Sequence, residues 1–216
     1  MTLSLADRLE ACHSSVVHDV MRDMDLRIRV LPRFILGLEP WMKVAGPVFT
    51  VRGRPDPSLD KHTSLFEWAG LLSKSPSGHV VLCQPQDDVR ALFGGLSAEA
   101  LKLKGVRGYI VDGGCRDIQA VIDLRFPVFA RYATPIDIVC AWRAEAFDEP
   151  VVIGGHLIHP GDMVLADRDG IILIEGAAAA DVIAAAEGKM ATEGEMVKAI
   201  RAGMDPQAAY MKYRVF

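Results

Sequence analysis

Apolar positions along this chain switch between two periods, and the switches outline its elements. Tyr109-Ile110-Val111 is an aromatic and β-branched run of the kind that fills a buried strand, and Ile118, Val121, Ile122 and Leu124 follow at helical spacing. Gly113-Gly114 breaks the first run, because paired glycines admit positive φ and a tight turn. Arg116-Asp117 therefore falls between a strand end and the first turn of a helix. In open α/β sheets ligands favour the crevice beyond such strand ends. An acid in a first turn also has a purely structural account, as a partner of the helix dipole. Upstream, 79–83 predicts another short buried strand. Residues 91–104 predict a helix entered through Phe93-Gly94-Gly95-Leu96-Ser97 and closed by Gly105. Strand, helix, strand, helix is the βαβα rhythm of an α/β core.

The flanking segments add helices at both ends. Ser4 is placed to cap a helix ending near Cys12, and Ser14 or Ser15 a second one through Val20 and Met21. Residues 44–51 read as a strand, with Pro47 pointing to an edge or a strand start. Residues 52–57 read as a loop whose arginines, Arg52 and Arg54, face solvent or an anionic ligand. A helix over 65–72 and a strand over 127–130 complete this part. The short apolar runs at 151–153, 157–158, 163–166 and 171–174, separated by Gly, Pro or Asp, read as β hairpins. From Ala177 the chain is alanine-rich and helical, with Gly188, Gly194, Gly203 and Pro206 expected to divide it into short helices. The expected division is an α/β domain over 1–175 and a helical tail over 176–216, too thin for a core of its own and expected to pack on a neighbouring subunit. Glu193 and Glu195 are its candidates for reaching a neighbour's site.

With 216 residues, half of them hydrophobic, the chain can bury one sizeable core. A net charge of −4 leaves no electrostatic footprint for nucleic acid. No apolar run approaches the roughly 18 residues of a membrane span, and the first residues lack the basic-then-apolar order of a signal peptide. Four scattered cysteines without a CxxC pair fit reduced thiols and a cytoplasmic setting. Cys115 adjoins Arg116-Asp117, yet no histidine nearby in sequence could activate it. His156 and His159 lack a third metal ligand and read as satisfied or exposed histidines.

The chemistry concentrates in two glycine-rich stretches. Neither Gly94-Gly95-Leu96-Ser97 nor Gly113-Gly114 belongs to a Walker A loop or a GxGxxG fingerprint, which argues against a nucleotide. A helix starting behind glycines offers unpaired N–H groups and a positive dipole end, suited to a small carboxylate. Arg116 would add a fixed cationic fork, and Asp117 a hard oxygen ligand for Mg²⁺. Spacing alone does not bring the two stretches together.

The run Phe93-Gly94-Gly95-Leu96, then 102–117 ending in Gly113-Gly114-Cys115-Arg116-Asp117, resembles the RraA-like family. That family includes the class II 4-hydroxy-4-methyl-2-oxoglutarate/4-carboxy-4-hydroxy-2-oxoadipate aldolases. Residues 14–20, 44–47, 126–131 and Pro160-Gly161-Asp162 with 166–172 fit in the same order. The resemblance implies an α/β fold of the swivelling β/β/α type in a single domain, with a helical N-terminus and a C-terminal helical tail. It also implies a homotrimer or homohexamer with sites between subunits. The amides of Gly94, Gly95, Leu96 and Ser97 would hold the carboxylate of pyruvate, Arg116 would contact the keto oxygen, and Asp117 would ligate Mg²⁺ or Mn²⁺. The implied activity is a metal-dependent carbon–carbon lyase that releases pyruvate from a small 2-oxo acid, by retro-aldol cleavage or oxaloacetate decarboxylation. Its partners would include neither nucleic acid nor membrane. One departure stands out: the aldolases carry an acid where this chain has Gly95. The alternative from another class is a protein like the family's namesake, which inhibits a ribonuclease by contact. The Arg116-Asp117 pair favours the enzyme. A methyltransferase would need a nucleoside site that this sequence lacks.

Overall fold

The computed structural model describes residues 3–216. Ser4 caps α1 (Leu5–Ala11) by accepting the Asp7 N–H. Helix α2 (Ser14–Asp23) starts at Ser14, not behind it. There the Ser14 N–H and hydroxyl both donate to Asp167, at 2.8 and 2.7 Å, pinning the helix to a distant turn. Two short strands follow, β1 (Arg29–Val30) and β2 (Leu36–Gly37), then the long β3 (Val44–Pro55) and α3 (Lys61–Lys74), capped by Asp60. The expected βαβα unit is β4 (Val80–Gln84), α4 (Gly95–Leu103), β5 (Gly108–Val111), β6 (Gly114–Cys115) and α5 (Ile118–Asp123). Next come β7 (Val128–Ala130), β8 (Tyr132–Ala133), β9 (Trp142–Phe147), β10 (Val151–Ile153), β11 (His156–Ile158), β12 (Met163–Ala166) and β13 (Ile171–Ile174). Helices α6 (Ala179–Arg201) and α7 (Pro206–Tyr213) end the chain.

The main sheet runs β1-β13-β12-β3-β4-β5-β7-β2, with β9 also on β3. Strands β3, β4, β5 and β7 are parallel, and β12 and β13 are antiparallel to their neighbours. Both faces are covered, so the strands are apolar throughout and alternate between two cores. Val80, Leu82, Ile110, Val164 and Leu173 point to an inner core shared by the two halves of the sheet. Val81, Cys83, Tyr109 and Val111 point to the opposite face, against Leu71 of α3, Leu101 of α4 and Val121 of α5. Leu165, Ile172 and Ile174 meet Leu9 of α1, Val17 of α2 and Val182 and Ile183 of α6. This is a mixed α/β single domain with helices at both ends, as expected.

Three sequence readings need correction. Pro47 lies inside β3, where that strand hands over from pairing with β12 (up to Pro47) to pairing with β4 (from Val48), so its missing N–H falls at the change of partners. Residues 52–55 continue β3 instead of forming a loop, paired with β9 across a bulge at Arg52/Gly53. Gly53 is required there, because a Cβ would lie 2.0 Å from the Trp142 ring. Arg54 donates to Glu145 at 2.9 Å, so it is held on this outer ribbon. Finally, α6 is one 23-residue helix that runs through Gly188 and Gly194. Its first half buries Val182, Ile183 and Ala186 against α1 and α2 of the same chain, and Lys189 bridges Asp19 and Asp23 of α2. The hairpin expectation holds: β10 and β11 pair around Gly154-Gly155, both at positive φ as a type I′ turn demands.

Candidate functional site

The two glycine-rich stretches meet. Parallel pairing of β4 with β5 places their carboxyl ends side by side, and the Gly113-Gly114 turn leads into β6. Leu92 N–H donates to Gly114 O at 2.8 Å and Arg116 N–H to Phe93 O at 2.9 Å, which lays residues 92–94 along 114–116. Helix α4 then starts behind Gly94, which makes no side-chain cap.

Asp117 occupies the N-cap position of α5 without capping it. Its backbone is left-handed, φ 53° and ψ 39°, a conformation that aspartate tolerates better than most residues. The carboxylate turns instead to the neighbouring helix, where Oδ2 accepts the Gly95 N–H at 3.1 Å. The purely structural reading of Asp117 as an acid serving its own helix therefore does not describe it. Among the described residues no hydrogen-bond partner is found for its Oδ1.

Arg116 lies between two carboxylates. Its Nε is 3.6 Å from Asp117 Oδ2 and its Nη1 is 3.4 Å from Asp137 Oδ2. Asp137 is held by an Asx turn in which its Oδ1 accepts the Val139 N–H at 3.2 Å. The three side chains are 40 to 49% exposed, so solvent screens their mutual attraction and leaves them open to a ligand.

Together they form the polar side of a cleft of about 150 Å³. Its other walls are apolar: Leu65 and Trp68 from α3, Phe93 from the strand-to-helix turn, and Ile138 and Val139 behind Asp137. Trp68 Nε1 donates to the hydroxyl of the buried Ser97 at 3.0 Å, which leaves the Ser97 O–H free to donate. The Gly95 amide, expected in the carboxylate cradle, is instead taken by Asp117, whereas no acceptor is found among the described residues for the amides of Leu96 and Ser97, two residues that line the same cleft. Two free amides, a hydroxyl and a guanidinium at the positive end of a helix make an anion cradle. Asp137, Leu65 and Trp68 escaped the sequence reading. Asp137 had a local signal, an Asp two residues after Pro135, but its closeness to Arg116 depends on the parallel pairing of β6 with β8.

Gly94 is sterically constrained by the pair it faces. A Cβ on Gly94 would lie 2.8 Å from Asp117 Oδ2 and 3.0 Å from Arg116 Cγ. Gly94→Ala is expected to push the Arg116-Asp117 pair out of place. It should weaken binding of a small carboxylate at the α4 cradle about tenfold or more by calorimetry and leave the circular-dichroism spectrum unchanged. At Gly95 a Cβ would stand 3.4 Å from Asp117 Cβ, so a carboxylate there would adjoin Asp117.

Other candidates fall elsewhere. Cys115 is fully buried and burial pushes its thiol up to about 12, so it is no nucleophile at neutral pH. Cys12 and Cys83 are buried too, and only Cys140 is exposed. Titration of the native protein with a chromogenic disulfide is expected to modify one thiol per chain, mapped to Cys140 by mass spectrometry. Asp112 lies outside the cleft beside Arg131. Burial raises its carboxyl and Arg131 partly offsets this. His156 opens strand β11 and His159 follows its end, and no group of three potential metal ligands occurs among the described residues. Glu193 and Glu195 lie on α6 and do not line this cleft. Among the described residues no helix is long and apolar enough to cross a membrane.

Residues 14–173 match the RraA-like family, described as Aldolase/RraA, a span that contains every residue of the cleft. The chain belongs to the RraA-like family. An RraA-like relative from Halalkalibacterium halodurans, provisionally named a 4-hydroxy-4-methyl-2-oxoglutarate aldolase, is 29% identical over 173 residues, 79% of this chain and 78% of its own. A solved structure from Pseudomonas syringae pv. tomato superposes with a TM-score of 0.84, covering 97% of this chain and 98% of the other. At 24% identity it shows the fold alone. A Streptomyces coelicolor structure, described as RraAS2, an unusual member of the RNase ES inhibitor RraA protein family, gives a TM-score of 0.74 at 26% identity. It covers 88% of this RraA-like chain and 93% of the other.

Proposed function

We propose that this protein is a divalent-metal-dependent carbon–carbon lyase acting on a 2-oxo acid and releasing pyruvate. The observation that carries this reading is the convergence of the free α4 amides, Arg116 and Asp117 in one cleft. The name of the H. halodurans relative supports the reaction class.

The donor set fits Mg²⁺ or Mn²⁺ of the sparsely coordinated kind. Mg²⁺ commonly binds through one or two carboxylates and keeps several waters, and the half-exposed Asp117 carboxylate lines the cleft with no hydrogen-bond partner found for its Oδ1 among the described residues. When bound there, the ion would act as a Lewis acid on the 2-oxo group. The chain's own groups do the rest. The Leu96 and Ser97 amides hold the substrate carboxylate, and Arg116 faces the keto oxygen as negative charge develops on it. Asp137 positions the Arg116 guanidinium from behind. In retro-aldol cleavage the C3–C4 bond breaks and its electron pair moves toward the keto carbon. The C4 hydroxyl becomes a carbonyl and its proton leaves to water, since Gly95 supplies no carboxylate. C3 then takes a proton to become the methyl of pyruvate. Assembly into trimers or hexamers, with a neighbour closing the half-open cleft, belongs to the same reading.

Pyruvate release from 4-hydroxy-4-methyl-2-oxoglutarate and from oxaloacetate, coupled to lactate dehydrogenase, tests the proposal. Turnover with Mg²⁺ that falls at least about 100-fold in EDTA is the expected result. Turnover indifferent to EDTA contradicts it. Absence of turnover together with tight binding to a ribonuclease would favour the inhibitor reading suggested by RraAS2's description.

A further inference from the structure

Asp137 is built into the cleft more firmly than its one ion pair requires. It lies between β8 and β9, in a segment tied to the elements around it. Ala91 N–H, just before α4, donates to Ile136 O at 2.8 Å. The hydroxyl of the buried Ser64, on α3, accepts the Cys140 N–H at 3.2 Å and donates to Ile138 O at 3.4 Å. The Val139 N–H holds Asp137 Oδ1, and Oδ2 is left toward Arg116, 3.4 Å from Nη1. A half-exposed pair at that distance adds little to stability, so holding Arg116 does not use up this oxygen. Asp117 is engaged differently, since its Oδ2 takes the Gly95 N–H. The two carboxylates thus flank one guanidinium, and both line the cleft. A substrate with its carboxylate on the Leu96 and Ser97 amides and its keto oxygen on Arg116 carries C4 two bonds beyond the keto carbon. A carboxylate facing the same guanidinium is within reach of a hydroxyl there, directly or through one water.

We propose that Asp137 is the proton acceptor for the C4 hydroxyl of the substrate. This inference rests on the lyase reading above and completes its proton path. As the C3–C4 bond breaks and its electron pair moves toward the keto carbon, the hydroxyl proton passes to Asp137 Oδ2 and C4 becomes a carbonyl. The carboxylic acid so formed gives the proton up to water, and C3 takes one from solvent. Asp137 returns as the carboxylate and the cycle balances. The site is thereby divided. Arg116 and Asp117 serve every reaction that develops charge on the keto oxygen, and Asp137 serves those that also remove a proton from a C4 hydroxyl.

Three reactions of the full-length protein with Mg²⁺ separate these roles: cleavage of 4-hydroxy-4-methyl-2-oxoglutarate, decarboxylation of oxaloacetate, and exchange of the C3 protons of pyruvate for deuterium. Only the first has a hydroxyl proton to remove. Asp137→Asn keeps an oxygen for the Val139 N–H and takes away the base. It is expected to lower kcat for the cleavage about 100-fold or more, and to lower exchange and decarboxylation by a factor at least about tenfold smaller. A residue that only orients Arg116 would lower all three alike, and that result overturns the inference. Cleavage by Asp137→Asn within about threefold of the wild-type rate overturns it too, and is the result expected if a group from a neighbouring subunit takes the proton. Wild-type protein that exchanges and decarboxylates without cleaving the hydroxy acid overturns the inference and leaves the lyase reading intact. Neither exchange nor turnover in the wild type overturns the lyase reading and the inference with it.

Discussion

Asp117→Asn is expected to lower metal-dependent pyruvate release by about 10²–10³-fold while changing Tm by no more than about 3 °C. The contrast follows from what the side chain does. Its carboxylate makes one hydrogen bond within the fold, from the Gly95 N–H, and an asparagine oxygen can accept the same bond. Asparagine also tolerates the left-handed backbone at φ 53°. The variant thus keeps the shape of the α4–α5 corner and removes only the negative charge, which would hold the proposed cation. Alanine would lose activity as well, but it would also meet the strain of a left-handed backbone. Asparagine therefore separates chemistry from folding. Steady-state kinetics with Mg²⁺ and scanning calorimetry read the two quantities. A variant that keeps more than about a tenth of the wild-type rate would remove Asp117 from the site.

The largest stability effect is expected far from the cleft, at Asp162. Arg29 Nη1 lies 2.7 Å from Asp162 Oδ2, with the two side chains only 3 and 6% exposed. Asp162 also accepts the His159 N–H at 3.1 Å and the Gly176 N–H at 3.3 Å, while Arg29 donates to Leu157 O at 3.1 Å. One ion pair thus ties β1, the β11–β12 turn and the approach to α6. Asp162→Ala would leave a buried guanidinium whose Nε and Nη2 already lack partners. Removing one member of a buried pair costs about 3–5 kcal/mol, on the order of 10 °C in Tm for a domain of this size. Replacing both residues, Arg29→Met with Asp162→Leu, is expected to be less damaging than Asp162→Ala alone, because no buried charge is stranded. Urea denaturation of the three variants checks this. A loss under about 1 kcal/mol for Asp162→Ala would contradict it.

The βαβα unit was legible because its strands are buried on both faces and its helices start and stop at glycines: Gly94 before α4, Gly105 after it. Local caps such as Ser4 were legible for the same reason, since capping is decided within three residues. What escaped was set by distance along the chain. Asp162 is recognisable within Pro160-Gly161-Asp162, but its partner Arg29 is 133 residues away. Asp137 reaches Arg116 only because β6 and β8 run side by side. The continuity of α6 through Gly188 and Gly194 also has a tertiary cause. Each glycine weakens a helix by about 1 kcal/mol relative to alanine, and burial of Val182, Ile183 and Ala186 on α1 and α2 outweighs that weakness. Pro47 misled for a related reason, since the change of partners along β3 is a property of the sheet.

The role of Arg116 and Asp117 is tested most directly without a complete substrate. Proton NMR of pyruvate in deuterated buffer with Mg²⁺ follows loss of the C3 proton signal, the half of the reaction that these two residues are proposed to serve. The account predicts exchange well above the protein-free rate, abolished by EDTA and lost in both Asp117→Asn and Arg116→Ala. Exchange that persists in EDTA and in both variants would contradict it.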